Sequence, residues 1–113
     1  MKIKIGSEVF IAVLYDNATA NKFKSMFPIT LKMTELNNNE KYAHIPGDLK
    51  TNPINPGKIE TGDIMIYDTN TLVLFYKSFR TEYSYTKIGR IVNTSNLIES
   101  LGNGSINVTF DIN

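Results

Sequence analysis

The sequence predicts a mainly β protein, a closed barrel of about eight strands with two short helices. Short runs of alternating or continuous apolar residues recur along the whole chain and are separated by clusters of turn-forming residues. Only two segments show helical spacing, and both are short. Closing the strands into a barrel removes the exposed edges of an open sheet. A two-sheet sandwich is the alternative architecture.

Composition limits the class of protein. A chain of 113 residues with 42% hydrophobic and 20% charged residues fits a single globular domain over residues 1–113. The net charge of +1, with no concentrated basic patch, argues against nucleic-acid binding. The absence of cysteine excludes disulfides, thiolate metal sites and cysteine nucleophiles.

The chain contains neither a signal-peptide core nor an apolar run of membrane-spanning length. We therefore expect a cytoplasmic protein without a membrane partner, although a secreted form trimmed of its signal would have the same sequence. The oligomeric state is left open.

The first third of the chain predicts a hairpin, a helix and a strand. Residues 2–5 and 8–15 form strands joined by the two-residue turn Gly6-Ser7, which suits type II′ geometry. Asp16 or Asn17 caps the following helix, and Pro28 ends it. The helix should close one end of the barrel through an apolar stripe of Ala20, Phe23, Met26 and Phe27, and a third strand follows through Ile29, Leu31 and Met33.

Residues 34–58 lack a clear periodicity and are rich in Asn, Pro and Gly, which predicts a long loop. Long connections inside a small domain are often functional. Strand patterns then resume at 64–67 and 72–79 around a turn at 68–70. Both runs are apolar on two faces, so a helix or loop should cover their outer side.

The last third predicts a strand over 85–92, a short helix and a final strand over 106–110. Thr94 or Ser95 caps this helix, which runs through Leu97, Ile98 and Leu101, and Gly102 terminates it.

Several of these runs together resemble the bacterial cyclophilin-like proteins. The resemblance is carried by Leu14-Tyr15-Asp16-Asn17-Ala18-Thr19-Ala20, Glu40-Lys41-Tyr42, the run 59–67, Leu74-Phe75-Tyr76-Lys77-Ser78-Phe79 and Ile88-Gly89-Arg90-Ile91. It covers nearly the whole chain and implies a cyclophilin-like barrel. True cyclophilins are peptidyl-prolyl isomerases, which use an arginine beside an apolar proline pocket.

The catalytic residues of an isomerase that the resemblance implies are only partly present. No arginine precedes Arg80, and Leu72-Val73-Leu74-Phe75 stands where cyclophilins have a Ser-Gln-Phe-Phe strand. Lys41, Lys50 and Lys58 lie in the corresponding part of the chain, but a flexible ammonium replaces a planar guanidinium poorly.

Few side chains indicate chemistry. The single histidine, His44, is assigned no catalytic or metal role, since such sites need several converging groups. Glu40 is the preferred functional carboxylate, against the alternative of a solvated loop residue, and Asp63 is expected to accept backbone hydrogen bonds. Arg80 directly follows an aromatic strand, at a position where a guanidinium can clamp a carboxylate or phosphate of a ligand, whereas Arg90 is expected to form a structural pair on the outer face.

Aromatic residues in the middle of the chain predict a ligand groove. Phe75 and Tyr67 are expected in the core, while tyrosines near strand ends offer apolar area with a hydrogen-bonding tip. Tyr83 and Tyr85 belong to this aromatic group. The predicted groove residues are Glu40, Tyr42, Met65, Phe75, Tyr76, Phe79 and Arg80.

The resulting hypothesis is a non-catalytic module that binds a peptide or a small ligand, without a cofactor. The alternatives are a divergent peptidyl-prolyl isomerase and a small protein-interaction subunit, whose aromatic patch would be a flat interface.

Overall fold

Eight antiparallel strands close into a barrel in a computed structural model that describes all 113 residues. The barrel order is β1-β10-β3-β4-β7-β6-β9-β2, and β5 and β8 form a separate two-stranded sheet. The elements are β1 (Lys2–Ile5), β2 (Glu8–Leu14), α1 (Ala18–Lys24), β3 (Ile29–Leu36), β4 (Glu40–His44), β5 (Lys58–Ile59), β6 (Asp63–Tyr67), β7 (Thr71–Phe75), β8 (Phe79–Arg80), β9 (Thr86–Ile91), α2 (Leu97–Leu101) and β10 (Ile106–Asp111). The predicted barrel with two helices is confirmed, and the sandwich is excluded.

The N-terminal elements follow the predicted local signals. Gly6 takes a φ of 59° in the turn between β1 and β2, a conformation that glycine adopts without strain. Asn17 caps α1 by accepting a hydrogen bond from the backbone N–H of Ala20 at 2.8 Å. Phe23, on the buried face of α1, packs edge-on against Phe27 and Phe110, so the helix is anchored to the barrel core.

The predicted loop over residues 34–58 is wrong in its first part. β3 continues to Leu36, a tight turn follows, and β4 occupies Glu40–His44. β4 has no apolar alternation in its sequence because an inward-facing position is filled by Lys41, a residue type that is rarely buried. The remaining segment, 45–57, is irregular apart from one bridge between Ile54 and Tyr85.

Two boundaries in the second half also differ from the prediction. The strand expected over 72–79 ends at Phe75, and Phe79 begins a separate strand, β8. Asn96, rather than Thr94 or Ser95, is the N-terminal cap of α2 and has a φ of 66° with no side-chain capping bond. The helix ends at Gly102, as predicted.

The barrel encloses one apolar core, and a second cluster lies outside it. The interior cluster has 22 buried residues drawn from all barrel strands and both helices. The outer cluster joins Met65 of β6 and Val73 and Phe75 of β7 to Ile59 and Tyr85, with Tyr42 and Phe79 at its margin. The prediction that β6 and β7 are covered on their outer side is confirmed, and the cover is the β5–β8 sheet and its flanking loops.

The pairing of β6 with β9 contains a register shift. Ile64 pairs with Gly89 and Met65 pairs with Lys87, so Ile88 is an extra residue on β9. Such a bulge bends a strand and re-aims its side chains.

Neither helix has the length and apolar character needed to cross a membrane.

Candidate functional site

A cavity of about 600 Å³ lies on the outer face of the barrel, next to the outer apolar cluster. We call it the outer groove. Its floor is formed by β4 and β7, one end by the turn between β3 and β4, and its far wall by the segment 79–85. It is lined by Leu36, Asn37, Asn39, Glu40, Tyr42, His44, Tyr67, Thr71, Val73, Phe79, Arg80, Thr81, Glu82, Tyr83 and Tyr85.

The alternation of side chains along β4 supplies one side of the floor. Glu40, Tyr42 and His44 face the groove, whereas Ala43 packs in the barrel interior and Lys41 is fully buried. On the neighbouring strand, Thr71 and Val73 face the same way, and β4 and β7 pair with Tyr42 opposite Val73. The floor is therefore fixed by regular strand pairing.

The far wall is held by backbone bonds that lie outside the barrel. The N–H of Thr81 donates to the carbonyl of Gly57 at 3.0 Å, and Ile54 and Tyr85 exchange two backbone hydrogen bonds at 2.9 and 2.8 Å. On this frame the ring of Tyr67 lies 6.1 Å from Tyr83 and 5.6 Å from Tyr85, centroid to centroid. These rings form an aromatic wall along the groove.

Glu40 is the most perturbed acid of the groove. It is 8% exposed, and burial, followed by the negative charge of Glu35, raises the pKa of its carboxyl to about 7. No hydrogen-bond donor or cation offsets that burial. Beside it, Oδ1 of Asn39 is a buried acceptor without a hydrogen-bond partner. Oδ1 of Asn39 is the one fully enclosed side-chain atom without a partner, whereas the carboxylate oxygens of Glu40 have no protein donor but remain accessible from the groove.

A polar cluster lies on the opposite side of the β4 backbone. Lys41 is fully buried and donates to the carbonyls of Gly102 at 2.9 Å and Gly104 at 2.7 Å, and its Nζ lies 3.2 Å from Oε1 of Glu35. Tyr76 donates to the same Glu35 oxygen at 2.7 Å. Burial opposes the ionisation of Glu35, but the bonds from Tyr76 and Lys41 hold its pKa below the ordinary value. Burial and the bond to Glu35 raise the pKa of Tyr76 to about 12.

The predicted groove residues fall into three groups. Glu40, Tyr42, Phe79 and Arg80 line the outer groove. Met65 and Phe75 lie in the outer apolar cluster and are fully buried, so they support the groove without lining it. Tyr76 packs in the barrel interior and bonds to Glu35, away from the groove.

Other sequence-based assignments can also be placed. Phe75 is core, as predicted, but Tyr67 is 43% exposed and lines the groove, so its core assignment is wrong. Asp63 accepts a backbone hydrogen bond from Glu60 at 2.8 Å, which confirms its structural role. Arg90 is exposed on the outer face opposite Asp63 in the β6–β9 pairing.

Glu40 lines the groove as predicted, and the alternative of a solvated loop residue is wrong, since Glu40 begins β4 and is 8% exposed. The floor residues Thr71 and Val73 are not among the predicted groove residues. Tyr67 is the last residue of β6, beside the turn at 68–70, and a ring at a strand end can lie outside the core. This position in the sequence could have indicated that Tyr67 is a groove residue. Nothing in the sequence marks Val73 as a groove residue, since a valine in a continuously apolar strand cannot be distinguished from a core residue.

The lysines considered as replacements for the cyclophilin arginine are not placed for that role. Lys41 is enclosed within the barrel, and Lys58 is exposed with its Nζ 3.5 Å from Glu60. Lys50 lines a different depression beside α1. Arg80 is the one guanidinium that lines the groove.

No group of three or more His, Cys, Asp or Glu side chains converges as a metal site would require. No curated protein matches the chain significantly. The model of the cyclophilin-like family matches residues 3–111, nearly the whole chain. This match, together with the closed eight-stranded barrel, shows that the chain belongs to the cyclophilin-like family.

Proposed function

We propose that this protein is a binding module whose outer groove takes an extended peptide segment or a small organic ligand. The observation that carries the proposal is the groove itself, a concave space of about 600 Å³ with a regular strand floor and an aromatic wall. Ligand sites in proteins are typically clefts of 300–1,000 Å³ with mostly apolar walls and a few polar groups. The outer groove has this composition.

The barrel interior is not a competing site. Its 22-residue apolar core fills the space between the strands, and small eight-stranded barrels are commonly packed with side chains in this way. A ligand of peptide size therefore meets its largest complementary surface on the outside, where tyrosine rings give contact area and hydroxyl groups together.

The test is a nitrogen-15 NMR titration of the full chain with a panel of short X-Pro peptides and a set of small aromatic compounds. We expect amide shifts confined to residues 36–44, 67–73 and 79–85. Tyr83→Ala, which truncates a groove residue that is 63% exposed, should weaken binding without unfolding the protein. Ile98→Ala, an exposed apolar residue on α2, is the matched control and should bind normally. Shifts scattered over other surfaces, or unchanged binding by Tyr83→Ala, would contradict the proposal.

A divergent peptidyl-prolyl isomerase is the second candidate, favoured by the position of Arg80 in the groove. A guanidinium there has the planar donor geometry that lysine lacks. NMR exchange spectroscopy on the same X-Pro peptides measures whether their slow cis/trans exchange is accelerated. If it is, Arg80→Lys should abolish the acceleration; unchanged turnover in that variant would remove Arg80 from the mechanism.

The aromatic patch is less suited to the third hypothesis, a flat protein interface. Its rings line a concave space, whereas flat apolar patches of several hundred Å² are typical of protein interfaces.

A further inference from the structure

The groove contains a buried carboxylate that the protein leaves without a partner. Glu40 is nine-tenths buried at the groove surface, and neither a hydrogen-bond donor nor a cation compensates for its burial. Buried polar groups in folded proteins are almost always hydrogen-bonded, and buried charges are paired. The Glu40 side chain is largely desolvated and has no protein partner, yet its carboxylate oxygens remain accessible from the groove, so a ligand there can supply a donor to them.

The aromatic side chains of the groove suit a cationic donor. Tyr42, Tyr67, Tyr83 and Tyr85 all line the groove, and their ring faces carry a negative electrostatic potential that attracts cations. Tyr85 lies near Glu40, because Glu40 is opposite Phe75 in the β4–β7 pairing and the ring of Phe75 lies 5.6 Å from that of Tyr85, centroid to centroid. Consistent with this, burial and then the charge of Glu40 raise the pKa of the Tyr85 hydroxyl. A cation at this end of the groove would meet a carboxylate and an aromatic ring together.

The charges of the groove also favour a cation. Its lining has two carboxylates, Glu40 and Glu82, and one guanidinium, Arg80. Arg80 and Glu82 are exposed, so solvent screens them, whereas the charge on Glu40 is poorly screened. An anionic ligand would have to approach this buried carboxylate, which is unfavourable.

From this geometry we propose that the outer groove binds ligands bearing a protonated amine, whose ammonium group pairs with Glu40 beside the ring of Tyr85. The proposal rests on the proposed function of the groove and adds the chemical class of ligand: a primary or secondary amine on an organic molecule, or a lysine side chain or N-terminal amine of a peptide. The ammonium supplies the donor that Glu40 lacks, and the adjacent aromatic wall receives the apolar part of the ligand.

The pairing makes binding depend on pH in a defined direction. The ammonium pairs with ionised Glu40, so binding should strengthen as the pH rises through about 7. Glu35 from β3 and the hydroxyl groups of Tyr76 and Tyr85 are the titratable groups that interact with Glu40. Burial raises the pKa of both tyrosines and the bonds from Tyr76 and Lys41 lower that of Glu35, so none of these groups should change charge near neutral pH.

The experiment compares three probes of similar size and different charge: phenethylamine, 2-phenylethanol and 3-phenylpropionate. Each is titrated to about 10 mM into the labelled full chain, so that a millimolar dissociation constant gives near saturation. We expect phenethylamine to bind the groove most tightly. Its affinity should rise roughly thirtyfold between pH 5.5 and 8.5, where Glu40 ionises and the alkylammonium, with a pKa of about 10, stays charged.

Two variants isolate the carboxylate. Glu40→Gln keeps the shape of the side chain and should weaken phenethylamine binding about tenfold or more at pH 8.5, with no loss for 2-phenylethanol. Glu99→Gln makes the same change at an exposed position on α2 and should leave all three affinities unchanged. Histidine is the other side chain whose charge ordinarily changes between pH 5 and 8, so the pH profile is repeated in His44→Gln and should persist there.

Each other outcome overturns the inference, and the outcomes separate it from the proposed function. If 3-phenylpropionate or 2-phenylethanol binds the groove as tightly as the amine, the groove is a binding site but the amine preference is wrong. Equal weakening of all three probes by Glu40→Gln would assign Glu40 a structural role and also overturn it. If none of the probes shifts groove resonances, the amine proposal fails, and the peptide titration described above then decides the proposed function separately.

Discussion

Lys41 and Glu40 are neighbours on β4, and their side chains lie on opposite faces of the strand. Lys41 points into the barrel and is satisfied by two backbone carbonyls and Glu35, while Glu40 points outward and has no partner. The strand alternation therefore places one polar residue in a structural cluster and the next in the candidate site. Neither placement can be read from the sequence, because burial of a charged side chain depends on partners that lie far along the chain.

Lys41→Met should destabilise the protein by about 3 kcal/mol. The change removes a buried ammonium that ties β4 to the loop carbonyls of Gly102 and Gly104, and it leaves Glu35 without its cation, although Tyr76 still donates to it. The partial exposure of Glu35, 22%, keeps the expected loss at the lower end for a broken buried pair. Chemical denaturation measures the free energy of unfolding, and Lys32→Met, at an exposed position on β3, is the control. A loss no larger than that of the control would show that the cluster contributes little.

Glu40→Gln should stabilise the protein at pH 8 and have no effect near pH 4. Burial raises the pKa of Glu40 from 4.5 to about 7, so the folded state holds its proton at pH values where the unfolded chain has lost it. The stability that the protonated carboxyl contributes is complete below about pH 4.5 and is lost as the pH rises to about 7. We expect a gain of roughly 1–2 kcal/mol at pH 8, after allowance for residual solvent screening. A pH-independent difference between the two proteins would show that Glu40 is not perturbed.

Strands with alternating apolar and polar residues, or with clear turn-forming residues beside them, could be predicted from the sequence. β4 could not. The β1–β2 hairpin and the Asn17 cap depend on short-range chemistry, so they were predicted correctly. The sequence of β4 predicts a loop because Lys41 stands at an inward position where an apolar residue is expected. The break between β7 and β8 at residues 76–78 carries no glycine or proline, so the sequence predicts one continuous strand there. The floor and the wall of the groove lie on these two misread segments.

Gly89 is required where β9 crosses closest to β2. A Cβ atom at this position would lie 2.5 Å from the carbonyl oxygen of Val13, which is backbone and cannot move without disturbing the strand. Gly89→Ala should therefore destabilise the protein by roughly 2–3 kcal/mol, the range for an overpacked core.

Gly104→Ala is the matched control for this effect, since a Cβ there would meet no atom within 4 Å. Its melting temperature should stay near that of the unmodified protein. If the two variants melted together, the close approach of β9 to β2 would not limit the choice of residue at 89.

The whole molecule has two apolar layers, a barrel core and an outer cluster beneath the groove. The sequence predicted a cover on the outer face of β6 and β7 from their two-sided apolar character, and the structure confirms it. The part of the outer face that this cover leaves as a groove could not be predicted from the sequence. The groove exists because the β5–β8 sheet covers Phe75 and Met65 and stops short of the outward side chains of β4, which line the groove together with the buried Val73. This arrangement is an outcome of long-range packing.

Phe75→Ala should test whether this outer layer unfolds together with the barrel. Phe75 is fully buried and packs its ring 5.7 Å from Phe79 and 5.6 Å from Tyr85, so its truncation should cost about 3–5 kcal/mol. Tyr83→Ala removes an exposed aromatic ring nearby and should cost less than about 0.5 kcal/mol. Unfolding followed by near-ultraviolet and far-ultraviolet circular dichroism should give one coincident transition in both variants. Thermal unfolding that barely moved in Phe75→Ala would refute its core role.

We propose above that the outer groove is the ligand site of this cyclophilin-like barrel. The most direct measurement is a crystallographic fragment screen of the full chain, in which neutral, cationic and anionic compounds are soaked separately. We expect bound fragments to gather over Val73 between Tyr42 and the 79–85 wall, with amines nearest Glu40. If fragments occupied other surfaces while an unobstructed outer groove stayed empty, the outer groove would not be the ligand site.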